Sequence, residues 1–423
     1  MLYRARDDNE EEKVLSREDN ERLTRVGKGT PMGELMRRYW IPALYSKQVE
    51  QPDSPPVRVK LMGESLVAFR DTKGRVGLVA EACPHRTASL FFGRNEECGI
   101  RCVYHGWKFD VDGACVDMPS EPEGSNFMSK VRLTAYPCVE HGGLVWAFMG
   151  DRARMPEFPA LEWANLPDSH LYITRHIQEC NWLQGVEGGF DTSHLAFLHK
   201  GTESEAARPP QSYQVVSLPS GFAAGSSGAV VEGERRFTSS IFLMPFHKLI
   251  PTRPYGAHAW VPIDDGATML YSIYFQPDRP LKTEDLRRAL NFEHIHPESI
   301  PGTDRAKANK DNDYLIDRAL QASGKSFTGI YGVGMQDCSI QESMGRVADR
   351  TVEHLGVSDT AIIKLRRYLL DVLAEVDKGR APPGLDAESA ALRVLRQRPG
   401  GEMSLAQAVE TYGRVRANAQ AAE

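Results

Sequence analysis

Two short motifs constrain this chain more than any other feature: Cys83-Pro84-His85 and Cys102-Val103-Tyr104-His105, a C-x-H pair and a C-x-x-H pair separated by residues 86–101. Each half offers one thiol and one imidazole. Interleaved in this way, the four side chains suit a dinuclear centre in which both Cys hold one metal ion and both His hold the other. A structural zinc site of the same composition ordinarily runs C-x2-4-C and then H-x3-5-H, an order the chain does not follow. Pro84, Gly99, Gly106 and Gly113 supply tight turns that let two ligand loops close over a cluster, with backbone N–H groups near its sulfides.

That ligand set is the Rieske [2Fe-2S] type. Exchanging two anionic thiolates for neutral imidazoles raises the reduction potential to roughly −150 to +300 mV, against about −400 mV for an all-Cys plant-type cluster. Such a centre accepts single electrons from a low-potential donor. At 423 residues the chain has room for two or three domains with real cores. Its 51 Lys and Arg against 57 Asp and Glu leave a net charge of −6, which gives no sign of a polyanion-binding surface, so no nucleic-acid partner is expected. No apolar run reaches the roughly 18 residues of a membrane span, and the N-terminus has no signal-peptide core; no membrane association and a cytoplasmic location are expected. With two of seven cysteines assigned to metal, Cys98, Cys115, Cys138, Cys180 and Cys338 read as reduced packing thiols.

Along the chain, residues 8–29 are charged and predicted helical, and Thr30-Pro31 starts a helix to about Trp40, with Trp40-Ile41-Pro42 ending it. Short β runs follow from Val57 to Gly150, among them Val57–Leu61, residues 65–69 and Leu144–Phe148. Arg152 to Pro167 is a proline-rich linker. Arg236 to Ile250 and Ala257 to Phe275 are rich in β-branched and aromatic residues, with Asp265-Gly266 as a hairpin turn. Helices are predicted at Ala306 to Ala322, at Asp359 to Val376 with Ser358 as N-cap and Gly379 past the end, and near Leu405 to Ala417. The fold class is α+β: an N-terminal helical segment (1–40), an all-β cluster domain (41–152) and a second domain (153–423) with an antiparallel sheet packed by helices.

A second constellation opens that last domain. In the run from Asn181 to His199, two His lie five residues apart, His194 and His199, with Glu187 and Asp191 upstream. On an ideal helix five residues turn through about 500°, leaving the side chains roughly 140° apart. Both can face one metal only where the backbone bulges or the helix ends. A carboxylate would complete a 2-His-1-carboxylate triad, which leaves iron(II) positions open for O2. Among Glu187, Asp191, Asp337 and Glu342, chemistry alone does not choose.

These residues resemble the oxygenase (alpha) component of Rieske non-haem iron aromatic-ring-hydroxylating oxygenases, through Cys83, His85, Cys102, His105, Asn181-Trp182 and Asp191-x-x-His194-x4-His199. The runs Thr30-Pro31-Met32-Gly33-Glu34, Cys83-Pro84-His85-Arg86, Cys102 to Phe109 and Gln341-Glu342-Ser343-Met344-Gly345 are most similar to the phthalate 4,5-dioxygenase branch. The resemblance implies a helix-grip catalytic domain and a mononuclear Fe(II) held by His194, His199 and Asp337. It also implies that Asp191 links the two metal centres through hydrogen bonds to a cluster His and an iron His, and that Asn181 lines the iron site, with Gln184 and Glu187 bordering the pocket. Its implied partners are an NADH-dependent reductase carrying FMN and a plant-type [2Fe-2S] cluster, O2, and further copies of the chain in a trimer or stacked trimers.

The expected reaction is cis-dihydroxylation of an aromatic, carboxylated substrate such as phthalate. Monooxygenation or O- or N-demethylation at the same iron is the alternative, since the outcome depends on which substrate carbon faces the oxygen. Arg208, Arg253 and Lys248 are the candidate cations for a carboxylate, with His247 beside Leu243-Met244-Pro245-Phe246. Residues 203–234, read as loop-rich, are expected to carry specificity. A plain electron carrier would leave the second His pair unused, and a nonenzymatic ligand-binding protein would need no iron.

Overall fold

The structure, a computed structural model, describes residues 14–202, 214–231, 234–252, 254–290, 297–394 and 404–415. They form two compact units, one from residues 26–158 with 262–264 and the other from the remainder. The α-helices in chain order are α1 (Arg17–Thr24), α2 (Pro31–Met36), α3 (Trp182–Phe190), α4 (Thr283–Leu290), α5 (Arg318–Ala322), α6 (Val333–Ser343), α7 (Thr360–Asp377) and α8 (Leu405–Tyr412).

The smaller unit is β-rich. Leu144–Phe148 pairs with both Trp40–Tyr45 and Cys138–His141; Val57–Leu61, Glu64–Arg70, Val76–Ala80 and Ala135–Tyr136 make a second sheet; Arg94–Glu96, Gly99–Arg101, Lys108–Phe109 and Cys115–Asp117 make a third. Val67, Phe69, Val79, Leu90, Ile100 and Phe109 pack with Cys83 and Cys102 into one buried core. The cluster loops are therefore rooted in apolar packing rather than laid on the surface.

In the larger unit a seven-stranded antiparallel sheet runs Leu171–Gln178, Ala267–Phe275, Tyr255–Asp264, His247–Ile250, Glu234–Leu243, Gly221–Val231 and Gln214–Leu218. Phe222 and Phe242 face each other in register on adjacent strands. Phe190 of α3 lies 5.2 Å from the Phe222 ring, and Tyr368 of α7 lies 5.8 Å from it. Two helices are thus seated on the sheet by four aromatic rings, each contact adding about 0.5–1.5 kcal/mol beyond area burial.

The α+β class and the Asp265-Gly266 hairpin stand as expected. Several boundaries do not. Thr30 caps α2 as predicted, its Oγ1 accepting from Gly33 N at 3.2 Å, but the helix stops at Met36 because Trp40–Tyr45 is recruited as a strand. Of residues 8–29, those before 14 lie outside the described residues, and the helix that forms is α1 alone. Between Ala306 and Ala322 no continuous helix forms: Asp313, Tyr314 and Leu315 take φ of 49°, 53° and 54°, a left-handed run that interrupts helical propagation. Helix α7 is capped at Asp359 rather than Ser358, and ends ahead of Gly379 at φ 80° as expected. Leu405 starts α8, while Ala417 lies outside the described residues. Gly225-Ser226-Ser227-Gly228, read as loop, belongs to a strand paired with Glu234–Leu243.

One buried network ties three helices together. Glu187 of α3, 8% exposed, accepts from Arg350 at 2.7 Å and from Arg366 of α7 at 2.6 Å, while Arg350 also donates to Asn20 of α1 at 3.1 Å. Burial alone would raise the Glu187 pKa, but the two guanidiniums outweigh it and hold the carboxyl below its ordinary range. Removing the charge strands two buried cations. Glu187→Gln is therefore expected to lower the unfolding free energy of this unit by about 3–5 kcal/mol, read by urea denaturation, with the visible absorbance of the Cys83/Cys102 centre unchanged.

Candidate functional site

The two cluster loops fold alike. Cys83 N donates to Ala88 O at 2.9 Å and Cys102 N to Trp107 O at 2.8 Å; Thr87 N returns to Cys83 O and Gly106 N to Cys102 O. The fifth residue of each loop is left-handed, Thr87 at φ 58° and Gly106 at φ 79°. Gly106 has a second reason to be glycine, since a Cβ there would lie 2.7 Å from Pro119. Both thiols are buried, and both imidazoles are half-buried. The His85 and His105 rings meet edge-on at 4.3 Å, and His85 stacks on Trp107 at 4.3 Å.

The donor set fits a [2Fe-2S] cluster. His85 Nδ1 is buried without a hydrogen-bond partner, a lone nitrogen that metal coordination would satisfy. Burial, then the adjacent Cys102, push the Cys83 thiol up to about 11 against a helping backbone N–H of His85. Burial and the neighbouring His85 lower the His105 pKa, so its ring is a neutral donor.

The second centre is built where α3 ends. Asp191 closes the helix in an extended conformation (φ −70°, ψ 115°), and the chain re-enters a single turn of 3-10 helix at His194–Ala196. This break resolves the 140° problem. His194 Nε2 lies 3.6 Å from Asp337 Oδ1 and His199 Nε2 lies 3.2 Å from the same oxygen, with the imidazole rings 4.9 Å apart. One ligand atom from each of the three residues falls within 4.8 Å of the others, the convergence a single metal ion needs.

Each imidazole is oriented from behind. His194 Nδ1 faces Asp191 Oδ2 at 3.5 Å, and Asp191 Oδ1 accepts from Ser193 N at 2.7 Å. His199 Nδ1 lies 2.8 Å from Gln336 Oε1. Gln336 Nε2 donates to Ile330 O at 3.0 Å, which fixes the amide so that its oxygen faces the ring; His199 Nδ1–H then donates to it, and Nε2 is the nitrogen turned toward Asp337. Burial raises the Asp337 and Asp191 pKa values, but His199 and His194 respectively overcome it, and both carboxyls titrate below the usual range. For His199, burial opposes the charged ring while Asp337 favours it and prevails, raising its pKa.

Four sequence candidates are not at this centre. Asn181, expected to line it, is the N-cap of α3: Oδ1 accepts from Leu183 N at 3.1 Å, and Nδ2 donates to Thr24 O at 2.9 Å and Asp265 O at 2.7 Å. Asn181 and Asp191 sit at opposite ends of the helix, roughly 15 Å apart along its axis. Gln184 is spent on Gln341 O, Gly345 O and Ala348 N, and Glu187 on its two arginines. Glu342 accepts from the Tyr314 hydroxyl at 2.6 Å. Gln336 was missed. Its adjacency to Asp337 was the one available signal, and spacing gives no reason to single it out.

Both halves of the chain have counterparts among known proteins. Residues 39–137 match the Rieske [2Fe-2S] domain, and residues 147–212 and 232–395 match the LigXa C-terminal domain like family. The chain is 42% identical to the 3-chlorobenzoate-3,4-dioxygenase oxygenase subunit of Comamonas testosteroni, over 87% of this chain and 91% of that protein. It is 38% identical to the phthalate 4,5-dioxygenase oxygenase subunit of Pseudomonas putida, over 90% and 91%. Identity to the 5,5'-dehydrodivanillate O-demethylase oxygenase subunit of Sphingobium sp. is 32%, over 89% and 85%. Among solved structures, the Pseudomonas putida CBB5 NdmA QL mutant with theobromine superposes with a TM-score of 0.60 at 20% identity, covering 87% of this chain and 98% of that one.

Losing the outer partner of one imidazole should loosen the ion without touching the other centre. Gln336→Leu is expected to weaken iron retention about 10–100-fold, measured as release to a chelator, while the absorbance of the Cys83/Cys102 centre persists.

Proposed function

Because the chain belongs to the Rieske non-haem iron oxygenases, as an oxygenase component, we propose that it uses O2 and reductase-derived electrons to cis-dihydroxylate a carboxylated aromatic such as phthalate. The observation that carries this reading is the convergence of His194, His199 and Asp337 on one point with each imidazole backed by its own hydrogen-bond partner. Cys83, His85, Cys102 and His105 hold the cluster; His194, His199 and Asp337 hold Fe(II); residues 41–152 and 153–423 are the corresponding domains. Together the two cofactors supply electrons one at a time and an open coordination position for O2.

The protein's share is positional. Gln336 and Asp191 take the Nδ1 side of both imidazoles, so that the two Nε2 atoms and the Asp337 carboxylate are the groups that would hold the ion. Asp191 is anchored by backbone N–H groups and carries its second oxygen toward His194, the position from which a cluster histidine of another copy could be bridged. The working assembly is a homotrimer or stacked trimers in which the cluster of one copy serves the iron of the next, because a ring can unite sites that lie on separate units. The electron donor is an NADH-dependent reductase with FMN and a plant-type [2Fe-2S] cluster. No helix among the described residues is long and apolar enough to cross a membrane, which supports a cytoplasmic placement.

A second reading, monooxygenation or demethylation, is favoured by the O-demethylase subunit among the relatives. Aromatic acids screened for substrate-dependent O2 uptake, followed by mass analysis after 18O2 labelling, separate the two: both labelled atoms in the product mean dioxygenation, whereas one atom with water or formaldehyde means the second reading. A plain electron carrier would contain two irons per chain rather than three. Asp191→Asn is expected to retain both metal centres and slow single-turnover product formation at least tenfold; full rates would remove Asp191 from electron transfer.

A further inference from the structure

We propose that Lys248 is the specificity-determining cation of the oxygenase site, binding the carboxylate of an aromatic acid whose ring faces the iron triad. The assignment rests on the aromatic-acid reading above and adds the residue that would enforce it.

Lys248 lies on the strand His247–Ile250, opposite Phe242 on one side and His258 on the other. It is only 9% exposed. Its ammonium donates to Gly189 O in the last turn of α3 and sits 5.3 Å from the centre of the Phe190 ring. Among the described residues it makes no ion pair, and these are its polar contacts. An ammonium has three donors, so most of its hydrogen-bonding capacity is unspent in a place where an unpaired charge costs several kcal/mol. Burial pulls its pKa down to about 8, and the Asp337 and Asp191 carboxylates oppose that pull. The amine is therefore mainly charged at pH 7, and it lies within electrostatic reach of the triad.

A lysine serving only as a helix C-cap keeps its ammonium in water; this one does not. A substrate carboxylate is the partner that the unspent donors of this buried ammonium lack. Phe190 lies under the ammonium, an aromatic face on which a ring can pack. The neighbouring His247 is no rival, because burial drives its pKa down to about 3 and leaves it neutral. The other sequence candidates, Arg208 and Arg253, lie outside the described residues.

The test is calorimetric binding of benzoate and of its neutral analogue benzamide to the intact iron-loaded protein. Wild type should prefer benzoate. Lys248→Gln, which keeps a donor for Gly189 O while losing the charge, should weaken benzoate by about tenfold or more, as loss of a charge-assisted hydrogen bond implies, and leave benzamide nearly unchanged. Lys248→Met should do the same, so a folding defect in either variant, visible in its circular dichroism, leaves the other to decide. A variant that retains the wild-type benzoate preference overturns the assignment of Lys248 alone. A wild type indifferent between the two ligands overturns the aromatic-acid reading, and this inference with it.

Discussion

Two imidazole nitrogens and one carboxylate oxygen have to reach a common point, and that requirement governs the catalytic half of the molecule. Side chains five apart on a continuous helix diverge, so α3 must stop before the first histidine. It stops at Asp191, and the residue that breaks the helix is also the one that orients the ligand behind the break: one carboxylate oxygen takes the Ser193 N–H, and the other faces His194 Nδ1. Local backbone geometry and ligand chemistry are thus set by a single side chain. Asp337, brought in on α6, supplies the third converging atom, and the residue before it supports His199 from the rear.

Buried charge divides the unit into two kinds of site. Around Glu187 every charge is matched, with two guanidiniums on one carboxylate and further acceptors on each guanidinium. Such a cluster resists change and gives α3 a fixed origin. Around Asp337 the charges are not matched in this way: two carboxylates face two imidazoles and one under-coordinated ammonium. Charge satisfaction, more than burial or residue type, tells scaffold from site in this fold.

That distinction explains what the sequence made legible. The cluster loops were readable because four ligand residues and their turn-forming neighbours lie within 25 residues, and a contiguous motif needs no tertiary information. His194 and His199 were readable as a pair, together with the need for a helix break between them. The third ligand was not, since Asp337 is brought to the pair by tertiary folding and its acidity is shared by Glu187, Asp191 and Glu342; only family resemblance selected it. Asn181 misled because an N-cap and a pocket amide are the same residue type, separated by a helix length that sequence does not measure. Trp40–Tyr45 misled because an apolar segment following a helix start takes its conformation from a partner strand a hundred residues away. The failures are tertiary overrides of local pattern.

The division of labour has a consequence for how one scaffold serves several reactions. The triad and its rear supports come from α3, the turn after it, and α6, whereas Lys248, Phe242 and Trp260 project from strands of the sheet. A substitution at Lys248 changes a charge near the triad without changing any triad residue, whereas one at Phe242 or Trp260 also disturbs α3, which packs on both. The 3-chlorobenzoate-3,4-dioxygenase and 5,5'-dehydrodivanillate O-demethylase subunits, both similar to this chain, carry names that differ in substrate and in reaction. Outcome follows from where the substrate carbon is placed relative to the open position, and if Lys248 holds the substrate carboxylate, it is the sheet face that sets this placement.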